Sequence, residues 1–158
     1  MDNTLAVILK DTFTLSQFKK RVKTLHSTLS EKFFGGRQGE AVTAEESAWF
    51  KLLPQEFLGS FNKDNLSQAI TNLNSQIDKM PILTIYLPFE AEADILNQLG
   101  IKVRTTFGEN FLMDIKYNPL LIAGCALSWK GIYKDYSLHQ KIAERRLPIL
   151  QSFKKFLR

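Results

Sequence analysis

The 158-residue sequence has very little of the chemistry on which catalytic and metal-binding sites depend. Its only cysteine, Cys125, cannot form an intrachain disulfide, which suits a reducing compartment. The two histidines, His26 and His139, lie in different halves of the chain and belong to no metal-ligand spacing. A nucleophile elbow, a paired zinc knuckle and a dinucleotide glycine fingerprint are all missing. The sequence therefore predicts no catalytic residue, no metal site and no cofactor site.

Long hydrophobic runs are missing as well. The longest, around Pro119 to Trp129, is interrupted by glycine and serine and falls short of the roughly 20 residues that span a bilayer. Asp2 and the lack of a basic region before the first apolar stretch argue against a signal peptide. These absences favour a cytoplasmic protein.

A glycine-containing stretch at residues 35–39 looks superficially like a phosphate-binding loop. It lacks the Gly-Lys-Ser/Thr ending that supplies the lysine and the metal-binding hydroxyl of such loops. It also follows a helical pattern, whereas a phosphate-binding loop follows a strand. The stretch is therefore predicted to be a turn.

Apolar residues at helical spacing predict a small bundle of four helices in residues 1–80. The longest apolar stripe consists of Phe18, Val22, Leu25, Leu29 and Phe33. A second long stripe consists of Leu66, Ile70, Leu73, Ile77 and Met80.

Helix boundaries in this half are predicted from capping patterns. Thr14 with Gln17, and Thr43 with Glu46, have the spacing of capping boxes. Asp64 is predicted to cap a further helix, and Pro54 to close the one before it.

From Met80 onward the pattern changes to short β-branched and aromatic runs, which predict strands. The order is strand, helix, three strands and a final helix interrupted at Pro148. The strands are predicted at residues 82–87, 111–117, 122–129 and 132–136, with Lys130-Gly131 as a hairpin turn between the last two. The helix from Glu90 ends either at Gly100 or at Gly108. The whole pattern is an α+β fold, with a small helical bundle at 1–80 followed by a strand–helix–strand–strand–strand–helix domain at 81–158.

Positive charge is concentrated at the C-terminal end of the chain. The net charge is +5, and residues 130–158 contain eight basic side chains against Asp135 and Glu144. Such a tail suits nucleic acid, anionic lipid or an acidic protein partner, and a solvated helix face explains the same charges equally well. Aromatic residues of the second half fall at strand periodicity, which favours core packing over base stacking.

The segment from Leu112 to Leu127, LMDIKYNPLLIAGCAL, resembles the signature of the F-type ATP synthase delta subunit family, which includes the mitochondrial oligomycin-sensitivity-conferring protein. In that family a strand ends in an Asp-Pro-x-Leu-Ile-Gly-Gly turn, and a glycine hairpin and an Asp-x-Ser segment follow. The resemblance covers roughly residues 82–146, and it favours the longer helix ending near Phe107. The residues that carry it are Asn118, Pro119, Leu121, Ile122, Gly124, Gly131, Asp135 and Ser137.

These signature residues have local folding roles. Asn118 can cap the turn that Pro119 starts, and Gly124 permits a close approach of two backbones. Leu121 and Ile122 are expected to hold the turn against the core. Ser137 is expected to cap the last helix.

The resemblance implies a mechanical function without catalysis, cofactor or small-molecule substrate. In the family the helical domain binds the α subunits of the catalytic head, and the C-terminal domain grips the b-type stalk. It implies that the protein lies at the cytoplasmic face of the membrane, where the complex holds it. It also implies that the protein does not bind nucleic acid. By the same implication, partners are bound by Phe18, Val22 and Leu25 in the helical domain and by Ile149, Leu150, Phe153 and Phe156 in the last helix.

Three other functions remain open at this point. A small nucleic-acid-binding protein could use the basic residues 130–158. An enzyme of unknown type is disfavoured by the missing catalytic constellation. A related stalk protein of a V-type ATPase would pair with a long helical subunit instead of a b-type stalk.

Overall fold

The computed structural model describes residues 3–35, 43–108 and 111–156, and the fold is α+β, as predicted. In the first half of this described part the helices are α1 (Asn3–Leu9), α2 (Leu15–Phe34), α3 (Ala44–Leu52), α4 (Gln55–Gly59) and α5 (Leu66–Asp78). The second half contains β1 (Ile82–Leu87), α6 (Ala93–Phe107), β2 (Leu112–Tyr117), the 3₁₀ turn Pro119–Leu121, β3 (Ala126–Trp129), β4 (Ile132–Asp135), α7 (Leu138–Glu144) and α8 (Arg146–Phe156). Within the described ranges, no helix is both long and apolar enough to cross a membrane.

Both predicted capping boxes are confirmed. The amide of Gln17 donates to the Thr14 hydroxyl oxygen at 3.1 Å, and the Gln17 side chain accepts from the Thr14 amide at 3.1 Å. Thr43 and Glu46 make the same pair of bonds at the start of α3. Each box satisfies two amide donors that a helix start leaves without partners, so α2 and α3 begin where the sequence predicts.

One predicted boundary in the helical half is wrong, and one helix there was not predicted. Asp64 does not cap α5, because the N-cap is Asn65 and the turn is instead held by Asn62, whose side-chain oxygen accepts the amides of Asp64 and Asn65 at 3.0 and 2.8 Å. Pro54 does end α3, but it also precedes the short helix α4, which the four-helix prediction omits. Proline is tolerated at a helix start, since its missing N–H has no helical partner there.

The helical half has its own hydrophobic core, and the long stripe of α2 lies at its centre. Phe18 and Leu25 are 0% exposed and Val22 is 5% exposed. They pack in one cluster with residues of α1, α3 and α5. Side chains this deeply packed have no area left for a partner, so the structure corrects their assignment to a partner-binding surface. They are core residues.

The second half is built on a four-stranded mixed sheet with the strand order β2-β1-β3-β4. β1 and β2 are parallel and connected by α6, whereas β3 runs antiparallel to β1 and to β4. The predicted hairpin turn is confirmed, because Lys130 and Gly131 both have positive φ (48° and 80°), as a two-residue hairpin of this kind requires. The strand predicted at 122–129 begins only at Ala126, since the residues before it form a loop.

One face of this sheet is covered by α6. Leu83, Ile85 and Met113 pack there in a second apolar cluster that includes Val103 of the helix. The helix continues to Phe107 and ends at Gly108, whose φ of 101° suits glycine. Of the two helix ends left open by the sequence, the longer one is therefore correct.

Each half contributes a residue to the hydrophobic core of the other. Leu112 of β2 belongs to the cluster of the helical half, and Phe13 packs against the cluster of the sheet. The Met113 amide donates to the Phe13 carbonyl oxygen at 3.0 Å, which adds a short parallel bridge beside β2. The guanidinium of Arg104 on α6 lies 4.6 Å from the Phe13 ring and donates to the Thr12 carbonyl oxygen. The division into domains at residue 80 stays a prediction.

Candidate docking surface

The C-terminal arm, defined here as α7 and α8 (residues 138–156), has no buried residue. Its large apolar side chains are nevertheless numerous, and Phe153 and Phe156 are 63% and 92% exposed. Single exposed apolar residues are normal on a protein surface, but a contiguous set marks an interaction site. The exposed apolar residues of the arm are Leu138, Ile142, Leu147, Ile149, Leu150, Phe153 and Phe156.

Pro148 explains why the arm consists of two helices. Proline has no N–H, and its ring clashes with the carbonyl four residues earlier, which belongs to Glu144. α7 ends at Glu144 and α8 begins at Arg146. The predicted interruption is confirmed, and Pro148 itself lies in the first turn of α8, where it costs no hydrogen bond.

The apolar residues of α8 lie along one side of the helix. Ile149, Phe153 and Phe156 follow each other at spacings of four and three, and Leu150 is three residues before Phe153. Gln151, two residues before Phe153, lies on the opposite side of the helix. All of them are exposed. α8 is therefore an amphipathic helix whose apolar side faces solvent.

The charge of the arm has one sign over most of its length. From Arg145 to Phe156 the chain carries Arg145, Arg146, Lys154 and Lys155 and no acidic residue. An apolar stripe accompanied by cations complements a surface that combines apolar side chains with negative charge.

A hydrogen-bonded junction, residues 135–137, joins β4 to the start of the arm. Ser137 is fully buried, and its hydroxyl oxygen accepts the amide of Gln140 at 3.2 Å, so the predicted cap is confirmed. The Ser137 amide donates to a carboxylate oxygen of Asp135 at 2.7 Å. Hydrogen bonds from the Ser137 hydroxyl and amide lower the pKa of Asp135.

The Pro119 loop, residues 118–124, lies beside this junction. The Asn118 side-chain oxygen accepts the Leu120 amide at 3.2 Å, and Leu121 is buried, as the sequence predicts. The prediction for Ile122 is wrong, because its side chain is 59% exposed and does not hold the turn against the core.

Gly124 makes the contact between the loop and the junction possible. A Cβ atom at this position would lie 2.7 Å from the Tyr136 carbonyl oxygen, and its φ is 85°. The Leu138 amide donates to the Ala123 carbonyl oxygen at 2.8 Å, which ties α7 to the loop.

The signature residues are therefore mostly gathered in one place. The Pro119 loop and the segment 135–137 lie side by side, whereas Gly131 lies at the far end of the β3–β4 hairpin. Sequence reasoning did not assign the exposed Leu120, Leu138, Ile142 and Leu147 to a site. The four-residue spacing of Leu138 and Ile142 was the available signal, since it places both on one side of a helix.

A cleft of about 460 Å³ lies elsewhere, at the carboxyl ends of β1 and β2, and is lined by Lys20, Arg21, Phe89 and Tyr117 among others. Arg21 already donates to the Thr12 hydroxyl oxygen at 2.7 Å and stacks 5.0 Å from the Trp49 ring centre. Burial lowers the pKa of Arg21. These contacts give Arg21 a structural role.

No family model matches the chain, and no match to it is found among curated proteins. In the part of the chain that the structure describes, no group of three or more His, Cys, Asp or Glu side chains could hold a metal ion.

Proposed function

We propose that this chain is a non-catalytic peripheral-stalk subunit of an F-type ATP synthase, which links the catalytic head to the b-type stalk. The observation that carries the proposal is the C-terminal arm, an exposed pair of helices with an amphipathic, basic α8, joined to the sheet by a hydrogen-bonded junction. The resemblance of residues 112–137 to the delta subunit signature supports the same assignment. The protein would act at the cytoplasmic face of the membrane, held there by its partners.

The energetics of α8 favour a helical partner. Burying an exposed Phe or Leu side chain contributes about 1.5–3 kcal/mol, so the four residues of the stripe can drive association once a matching surface is present. An amphipathic helix recognises such a surface through side chains spaced three and four residues apart, which is the spacing of Ile149, Phe153 and Phe156. Acidic, heptad-rich stalk helices supply both the apolar seam and the complementary charge.

The contact with the head needs other residues than those predicted from the sequence. Phe18, Val22 and Leu25 are in the core, so the helical half would meet the α subunits with exposed side chains. Leu52 on α3 and Phe34 at the end of α2 are 82% and 63% exposed and are the apolar candidates in that half.

Replacement of Phe153 by Asp tests the stalk contact. This change puts a carboxylate into the apolar stripe and next to the acidic partner, so capture of a soluble b-type stalk fragment should weaken at least about tenfold, or 1.4 kcal/mol. The melting temperature should stay within about 2 °C, because the side chain is exposed. Calorimetric titration and thermal unfolding measure the two quantities.

Gln151→Asp is the matched control. It adds the same charge two residues away, on the opposite side of α8, and should leave capture nearly unchanged. An equal loss of affinity for the stalk fragment in both variants would show that net charge, and not the apolar stripe, binds the partner. Unchanged capture by Phe153→Asp would remove α8 from the interface.

The nucleic-acid alternative makes a different prediction for the same protein. Phosphate contacts from Lys154 and Lys155 would give an affinity for DNA or RNA that falls steeply with salt, and Phe153→Asp would matter much less than loss of the lysines. Such binding, without any capture of the stalk fragment, would replace the proposal.

A further inference from the structure

Ile122 adopts a backbone conformation that β-branched residues rarely occupy. Its φ and ψ are 65° and −57°, and the Ala123 amide donates across it to the Leu121 carbonyl oxygen at 2.7 Å. This geometry is a γ-turn of the rare, strained form. Strain of this kind persists only where the surroundings enforce it, and it concentrates at functional sites.

The surroundings of Ile122 do enforce the conformation. On one side Leu121 is buried, and the Asn118 amide donates to the Leu87 carbonyl oxygen at 2.7 Å. On the other side the Leu138 amide donates to the Ala123 carbonyl oxygen. The loop around Ile122 is thus hydrogen-bonded to β1 at Asn118 and to α7 at Ala123, while the Ile122 side chain is exposed to solvent.

The Ile122 side chain is held by a strained backbone and is exposed, so it does not contribute to the hydrophobic core. Leu120, 76% exposed, is two residues away, and α7 packs against the turn and presents the exposed Leu138 and Ile142. We propose that Leu120 and Ile122 form a rigid apolar knob, which inserts between side chains of an acidic amphipathic partner helix. The inference rests on the proposed function and extends its interface from α8 to the Pro119 loop.

The strained turn, and not the charge of the arm, favours a protein helix over an anionic lipid surface. The arm, whose helix α7 packs against this loop, carries Lys141, Arg145 and Arg146 against Glu144, so its charge complements an acidic partner of either kind. The strained turn distinguishes a protein helix from a lipid surface. A knob held in one conformation matches a groove of fixed shape, whereas a fluid bilayer requires no such geometry.

Ile122→Gly tests the knob directly. Glycine occupies positive φ freely, so the variant should melt at the same temperature as the wild type or up to about 2–4 °C higher. Its affinity for the purified soluble fragment of the b-type stalk subunit should nevertheless fall about tenfold. A second variant, Leu120→Ser, carries no change in backbone strain and should show the same loss of affinity at an unchanged melting temperature.

Ile101→Ala is the control. Ile101 lies within α6, and its side chain is 58% exposed, close to the 59% of Ile122. It should bind the fragment as the wild type does. Wild-type affinity of both Ile122→Gly and Leu120→Ser would overturn the knob while leaving the stalk function intact. A melting temperature of Ile122→Gly lowered by more than about 4 °C would also overturn it, because Ile122 would then stabilise the fold itself.

Absence of wild-type binding to the fragment would end the proposed function and the knob together. Vesicles containing about one-third anionic lipid form the remaining arm of the experiment. Binding to these vesicles that is lost in Ile122→Gly, without binding to the fragment, would assign the knob to a membrane surface and overturn the protein partner.

Discussion

The protonation of Asp135 makes the stability at the start of the arm depend on pH. Its pKa is lowered by the hydroxyl and the amide of Ser137, whereas in the unfolded chain it titrates near its ordinary value of about 3.9. A carboxylate with a lowered folded pKa stabilises the fold at pH above the unfolded value, and this contribution is lost as pH falls through the folded pKa. The start of α7 should therefore loosen in acid.

The pH dependence can be isolated with Asp135→Asn. The melting temperature of this variant should fall less steeply than that of the wild type between about pH 5 and pH 2, because the linked proton uptake is gone. Ser137→Ala should flatten the profile only in part, because the amide of residue 137 still donates to Asp135, and it should also lose the helix cap, at a cost of about 1 kcal/mol at every pH. Parallel profiles for all three proteins would contradict the assignment.

Signature residues differ in how far the sequence could predict their roles. Asn118 and Ser137 accept backbone amides within three residues, Gly131 supplies a positive φ in its own turn, and the structure confirms all three roles. Ile122 was expected in the core on its hydrophobicity alone. Its exposure follows from the γ-turn, which depends on contacts with β1 and α7 that no local pattern contains.

At the scale of elements, α6 depends on a glycine in its middle. Gly100 is buried, and a Cβ atom there would lie 2.3 Å from Cγ and 2.5 Å from Cβ of Phe13. Glycine weakens a helix interior by roughly 0.5–1 kcal/mol relative to alanine, so its presence here serves the close packing of Phe13. Gly100 was one of the two predicted ends of the helix, but α6 continues through it to Phe107.

Gly100→Ala should destabilise the protein although alanine favours helix. Overpacking against the root of the Phe13 side chain should cost about 1–3 kcal/mol in denaturant unfolding. Gly59→Ala in α4 is the control, since an added Cβ meets nothing within 4 Å there, and its stability should be equal or slightly higher. A stabilised Gly100→Ala would mean that Phe13 moves aside freely.

At the scale of the whole molecule, Arg104 joins the sheet half to the helical half. It lies on α6 and donates to the carbonyl oxygens of Lys10, at 3.1 Å, and of Thr12. Its guanidinium also stacks on Phe13. Under the proposed function the chain would transmit force, so its two halves would have to move as one body, and these contacts would hold them together.

Arg104→Met should loosen this junction. The loss of charged hydrogen bonds should cost about 1.5–3 kcal/mol and speed hydrogen exchange at the Met113 amide, which bonds to Phe13. Lys102→Met, an exposed change on the same helix, should alter neither quantity. Unchanged exchange at Met113 in Arg104→Met would place the coupling elsewhere.

Features that depend on nearby residues could be predicted before the fold was known. These are the α+β fold class, the capping boxes of α2 and α3, the Lys130-Gly131 hairpin, the break at Pro148 and the apolar stripe of α8. Each follows from hydrogen bonds or side-chain spacing within a few positions of the chain.

Which apolar surfaces are covered could be learned only from the packed chain. The stripes of α2 and α8 have the same periodicity, yet α2 is surrounded by three other helices and α8 by solvent. The same packing produces the strained conformation of Ile122. It also places Leu112 of β2 in the core of the helical half and Phe13 against the core of the sheet. Burial depends on segments that are distant in sequence, and a helical period shows that a face is apolar without showing what will cover it.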